Sequence, residues 1–289
     1  MKKSDFVISL PKRLVLLLCM FIVCYILTVA VSYILGKVLS GNLPAALRLS
    51  ALAQDIIAFI LPAVGTAVFI TRRPAELLCL TRRPSALMLL LVVLCTIVSI
   101  PAQEAVIYWN YNIQLPESMA AFEQLMRTLE QTANDTLMTF VGTGTWSALI
   151  LNVLIVGVAA AVAEELLFRG CLQRILVTGG VNPHVAIWLV AFVFSALHMQ
   201  FFGFVPRMLL GAYFGYLLLW SGSIMLPIAA HMLNNVIYVV VAWWQVRNGA
   251  PEALVEAPQL WSLAPTLASV VLTTATIYLL SRQSKHLKE

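Results

Sequence analysis

The sequence predicts an all-α fold: a polytopic transmembrane helical bundle of about eight spans with both termini in the cytoplasm. Three observations carry this. Hydrophobic residues make up 61% of the 289 and charged residues only 11%, where soluble proteins carry roughly 45–50% and about 25%. The apolar residues fall in runs of about 20, the length at which a helix crosses a ~30 Å hydrocarbon core. Lys and Arg cluster beside those runs, as topology in a bilayer requires. A water-soluble domain of this length could not cover so much apolar surface with 18 basic and 13 acidic side chains.

Taken in order, the runs place spans at roughly 13–36, 51–71, 85–109, 147–178, 184–202, 206–220, 223–245 and 260–281. The first, Leu14 to Leu35, is too long for a signal-peptide core and lacks a small-residue cleavage site, so it reads as a retained span. The sixth is short, and a seven-span arrangement results if it is re-entrant. Between the third and fourth lies the longest polar segment, Asn110 to Thr145. Within it Met119, Phe122, Leu125, Met126 and Leu129 recur at helical spacing, which predicts an amphipathic surface helix over about 117–137. Three regions follow: 1–145, three spans with the polar loop; 146–245, a core that gathers the unusual polar residues; and 246–289, a last span with a cytoplasmic tail. There is no internal repeat.

With the N-terminus inside, the inner segments hold Lys2, Lys3, Lys12, Arg13, Arg72, Arg73, Arg82, Arg83, Arg169, Arg174, Arg282, Lys285 and Lys288, and only Lys37, Arg48, Arg127, Arg207 and Arg247 face outward. That bias fixes the predicted orientation and fits a cell (inner or plasma) membrane. The net charge of +5 is therefore an orientation and lipid-headgroup signal. It lacks the aromatic-interleaved patches of a nucleic-acid surface, so no nucleic-acid partner is expected. The five cysteines form no CxxC pair and read as inert thiols, without a disulfide framework or a zinc cluster.

A charge at the centre of a membrane helix costs about 2.5–3.5 kcal/mol on insertion scales, so polar residues inside spans need a partner or a task. Glu164-Glu165-x-x-x-Arg169 lies in the fourth span. Glu165 and Arg169 are four apart with the acid first, the favourable order for a helical ion pair, and Glu164 points about 100° away. One carboxylate is thus structural and the other available. His198 in the fifth span lies as far beyond Pro183 as Glu164 lies before Gly179. At ~1.5 Å per residue both are roughly 22 Å from a shared turn and at matching depth. His231 and Asn235, four apart in the seventh span, project from one face, and Asn234 from another. Asp55 and Glu104 fall near predicted span ends, where water or headgroups solvate them. Gly211 and Gly215 form a GxxxG that reads as close helix packing.

Together, Glu164-Glu165-x-x-x-Arg169, Phe194-x-x-x-His198 and His231-x-x-x-Asn235, with the approach Ser223-Ile224-Met225-Leu226-Pro227, resemble the CPBP family of intramembrane proteases. That family includes the type II CAAX prenyl endopeptidases and bacterial abortive-infection or bacteriocin-processing proteins. The resemblance covers about residues 160–240. It implies hydrolysis of a peptide bond in a membrane-associated, prenylated or leader-type substrate within the bilayer. Glu164 would be general base on a water and His198 would hold or share its proton, while His231 and Asn235 would donate to the oxyanion and Glu165 and Arg169 support the helix. No cofactor is required by this chemistry. A zinc ion stays open, with Glu164, His198 and His231 as its candidate ligands, but Asn is a poor zinc ligand and no HExxH occurs. The rivals are a proton-coupled transporter, which would show repeats and broken helices, and a non-catalytic immunity or scaffold protein.

Overall fold

The computed structural model describes residues 5–142, 144–249 and 260–286. Lys2, Lys3 and Lys288, and the side chain of Lys285, lie outside what is described. Ten principal helices follow in chain order: α1 Leu10–Val38, α2 Leu43–Ile70, α3 Ala86–Val98, α4 Ile100–Tyr111, α5 Ala120–Val141, α6 Trp146–Thr178, α7 Pro183–Leu197, α8 Phe204–Ser221, α9 Met225–Arg247 and α10 Leu263–His286. There is no strand among the described residues, only an isolated bridge from Phe6 to Thr71.

Among the described residues six helical segments are long and apolar enough to cross a membrane, and the α3–α4 pair makes a seventh if counted as one bent span. The 15-residue α7 is apolar but shorter. The chain is a multi-pass membrane protein. Its lipid-facing character is plainest in α1, where Val15, Leu18, Ile22, Val23, Ile26 and Val29 are all exposed. Packed on one side against α2 yet apolar on the side left uncovered, such a helix is stable only against lipid tails.

Local sequence explains most boundaries. Asn42 caps α2 by accepting the Ala45 N–H at 3.2 Å, and Pro44 occupies the first turn, where its missing N–H costs nothing. Ser85 caps α3 through the Met88 N–H, and Thr145 caps α6 through the Ala148 N–H. The predicted third span is broken: α3 and α4 meet at Ser99 with a bend of 49°, because Pro101 cannot donate into a continuous ladder. The predicted fifth span, 184–202, stops at Leu197, where Met199 takes a left-handed φ of 55°. The sixth span, expected to be short, instead runs with a preceding 3₁₀ turn over Phe201–Ser221. The amphipathic segment forms as the 3₁₀ turn Glu117–Met119 followed by α5.

Helix α6 is the centre of the bundle. It packs against α2, α7, α8 and α9, with α1 touching its end, and its Leu166, Leu167, Phe168, Cys171, Ile175 and Leu176 form the middle of the main core. α7 and α8 form an antiparallel hairpin against it. Gly211 and Gly215 face this contact: a Cβ on Gly211 would lie 3.2 Å from Phe194 and 3.3 Å from the Ala191 Cα, and one on Gly215 would lie 2.9 Å from Ile187. The GxxxG therefore serves packing within the chain.

Candidate active site

Among the described residues three helical stretches widen to π geometry: Gln54–Ile60 in α2, and Val153–Ala159 and Leu166–Gln173 in α6. Such widened turns often occur at functional positions, and here the two in α6 bracket Glu164 and Glu165. The second turn displaces Arg169 without breaking its pairing. Arg169 Nη1 donates to Glu165 Oε1 at 2.8 Å, and both side chains are 0% exposed. Arg169 also donates to the Gly211 carbonyl at 3.0 Å, and Gln173 donates to the Gly215 carbonyl at 3.1 Å. The glycines thus offer their backbone to the two long polar side chains of α6. The Arg169 guanidinium further lies 4.4 Å from the Phe194 ring centre, a cation–π contact that supports a buried charge.

His231 of α9 meets this pair. Its Nδ1 is 2.9 Å from the same Glu165 Oε1, and its Nε2 is 3.8 Å from Glu164 Oε2. Phe214 stacks on the imidazole at 4.9 Å and 18°, and Phe194 meets it edge-on. The ring plane is therefore fixed from three sides. Since Glu165 accepts at Nδ1, the nitrogen turned to Glu164 is Nε2. At 3.8 Å it is beyond hydrogen-bond range. Glu164 Oε2 is buried and has no hydrogen-bond partner, although its side chain as a whole keeps 15% exposure. An acid with one arm unengaged, beside an accessible edge, is suited to hold a small polar molecule.

His198 occupies the C-cap of α7, just where the helix ends. Its Nδ1 lies 2.8 Å from the Phe194 carbonyl, so Nδ1–H is the donor and Nε2 carries the lone pair. His198 interacts electrostatically with both Glu164 and His231. Asn235 donates from Nδ2 to the Val156 carbonyl at 3.1 Å, a carbonyl within the first widened turn of α6. Asn234 faces elsewhere, onto an apolar cavity of about 350 Å³ whose wall includes Gln103, Tyr213, Phe214 and Ala230. The structure thus gathers Glu164, Glu165, Arg169, His198 and His231 and fixes Asn235 one turn beyond His231.

Among the described residues no three His, Cys, Asp or Glu side chains converge in a way that holds a metal ion. As placed, Glu164, His198 and His231 do not converge as a ligand set, and no step below is routed through a metal. The five cysteines are free thiols.

Some neighbours were not evident from the sequence. Asp55, expected at a solvated span end, is instead 5% exposed well inside α2 and interacts electrostatically with Glu164. The signal was the Asn42-Leu43-Pro44 start, which sets α2 beginning at Leu43 rather than at 51. Arg207, expected on the outer side, is half-buried and donates to Gln200 at 2.7 Å. Around it α5 closes over the loop after His198: Gln200 donates to Glu130 at 3.3 Å, Arg127 covers the Phe202 ring, and Asn110 of α4 holds Phe201 and Val205 through their backbone.

Residues 146–237 match the family model described as Rce1-like, type II CAAX prenyl endopeptidase. The chain is also 26% identical over 113 residues to "Uncharacterized protein YpbD" of Bacillus subtilis (strain 168), an overlap of 37% of this chain and 55% of that protein. The chain thus spans about half the length of this curated relative. No solved structure matches it.

Proposed function

We propose that this protein is an intramembrane endopeptidase in which Glu164 activates water against a peptide bond. The observation that carries the reading is the pairing of a satisfied acid with an unsatisfied one. Glu165 is engaged by Arg169 and His231, whereas Glu164 has a buried oxygen without a partner beside the same imidazole. The family model matched over 146–237, a protease family, supports it.

In this reading a water lies between Glu164 and the Nε2 lone pair of His198. Glu164 takes its proton as the oxygen attacks the carbonyl carbon. The oxyanion is met by the Nε2 edge of His231, whose Nδ1 is held by Glu165, and by the second N–H of Asn235. Glu164 then returns the proton to the leaving nitrogen as the C–N bond breaks. Arg169 fixes Glu165, and Glu165 fixes the imidazole, so the donor is aimed before substrate arrives. The substrate class is a membrane-embedded protein or peptide.

The test is a comparison of protein termini in membranes of cells carrying wild-type or Glu164→Ala protein at equal abundance. New termini that depend on Glu164 are expected. Identical termini in both would overturn the reading.

A further inference from the structure

Helix α5 lies against α9 and the 3₁₀ turn Phe201–Gly203, and there three polar side chains meet. Gln200 joins the other two through its amide. Its Oε1 accepts Arg207 Nη2 at 2.7 Å, and its Nε2 donates to Glu130 Oε1 at 3.3 Å. Gly203 leaves room for the guanidinium, since a Cβ there would lie 3.1 Å from Arg207 Nη2. The polar neighbours are committed elsewhere: Arg127 to Glu123 and the Phe202 ring, and Asn110 to the backbone of Phe201 and Val205.

The Gln200 amide thus stands between a carboxylate and a guanidinium. Among the described residues Glu130 and Arg207 form no direct ion pair. Each has one buried atom without a hydrogen-bond partner in the protein, Oε2 of Glu130 and Nη1 of Arg207. Charged arms buried without a partner are costly. The cluster therefore keeps one free acceptor and one free donor. A peptide group is the complement of that pair, with its N–H for Glu130 and its C=O for Arg207. A terminal carboxylate offers acceptors alone and would meet Glu130 with like charge.

The location suits that task. Gln200 is two residues beyond His198. On α9, Tyr238 is seven residues beyond His231 and three beyond Asn235, on the same face, and it interacts electrostatically with both Glu130 and Arg207. Seven helical residues rise ~10 Å, which an extended chain covers in about three residues.

We propose that Glu130, Gln200 and Arg207 form a clamp on the substrate's main chain, holding one peptide group about three residues from the bond to be cut, N–H to Glu130 and C=O to Arg207. This rests on the reading that Glu164, His198 and His231 form the site of cleavage. Such a clamp fixes an extended segment without selecting its side chains. It favours a chain that continues past the cluster over one that ends in it.

Binding to the full chain in nanodiscs tests this, with Glu164→Ala in place so that the probe is not consumed. The probe is a random pool of apolar decapeptides, blocked at both ends and carrying a photoreactive diazirine. Recognition of main chain lets a random pool serve. Crosslinks mapped by mass spectrometry are expected within 200–207 and at Tyr238, and about tenfold fewer in Glu130→Ala or Arg207→Ala. A second pool controls for loosening of α5 in those variants, because it leaves the protein unaltered. Esters replace its amides, so no N–H reaches Glu130, and labelling about tenfold weaker is expected. Equal labelling by the two pools overturns the proposal. So does labelling of these residues by diazirine-bearing phosphatidylethanolamine and not by peptide, which marks a lipid-headgroup site. Absence of any label there leaves the two arms to a bridging water and overturns it as well. Normal cleavage by Glu164→Ala in the terminus comparison would instead overturn the base assignment, a separate readout from binding at the clamp.

Discussion

His231 and Arg169 share a single oxygen. Glu165 Oε1 accepts Arg169 at 2.8 Å from within its own helix and meets His231 Nδ1 at 2.9 Å from another. The acid links α6 to α9 at the depth of the candidate site, and both flanking side chains depend on it. Glu165→Ala leaves a fully buried guanidinium and one face of His231 without their partner. A loss of about 3–5 kcal/mol is the usual scale for breaking such a pair, so low abundance and a depressed Tm in detergent are expected. An unchanged Tm would show that the pair is dispensable.

Glu164→Ala should behave in the opposite way. Its free oxygen makes no hydrogen bond, so little native structure depends on it. Cleavage should fall by about 10²-fold or more while Tm and expression stay near wild-type. A variant that both unfolds and loses activity would argue for a structural acid.

Gly211→Ala tests the α7–α8 contact. The added Cβ would lie 3.1 Å from an Arg169 guanidinium nitrogen and 3.2 Å from Phe194. Overpacking of this kind costs about 1–3 kcal/mol. It also crowds the carbonyl that Arg169 uses, so thermal stability and cleavage should drop together, measured by melting in detergent and by reporter turnover.

The closure of α5 over the His198 loop should depend on pH. Burial pushes the Glu130 carboxyl up from its ordinary value, against the downward pull of Arg207 and of hydrogen bonds from Gln200 and the Phe202 backbone. A carboxyl raised in the docked state binds its proton more tightly there. Its contribution therefore favours docking at low pH, and is lost as pH climbs from the ordinary glutamate value through the raised one. Protection factors of the α5 amides, which remove the intrinsic pH dependence of exchange, should be higher at pH 5 than at pH 7.5, and Glu130→Gln should flatten that difference. Equal protection in wild-type at both values would contradict it.

Most of the bundle was legible because a span is written in composition: an apolar run of sufficient length has few alternatives in a bilayer. Glu164, His198, His231 and Asn235 stood out for the complementary reason, being polar residues inside such runs. What could not be read was longitudinal detail. The end of α7 at Leu197 depends on Met199 adopting a left-handed conformation, which nothing in an apolar stretch announces. The break at Ser99 and the true start of α2 were signalled by Pro101 and by Asn42 with Pro44, yet hydropathy alone passes over both. Placing the second span at 51 rather than 43 made Asp55 look like an edge residue, and so concealed its burial beside Glu164.

The three widened turns carry a consequence for chain length. Each holds a residue more than a regular helical turn would. Deleting one residue there would restore ordinary winding while leaving the flanking helix nearly in register, because the wider turn absorbs the extra residue. Within Val153–Ala159 such a deletion would leave hydropathy untouched while removing the local widening that presents the Val156 carbonyl to Asn235, and within Leu166–Gln173 it would change the turn that carries Arg169 to Glu165. Homologous chains that lack one of these residues should therefore differ in which side chains meet at the centre, and a gap of a single position in an otherwise smooth alignment would be the mark of a rebuilt site.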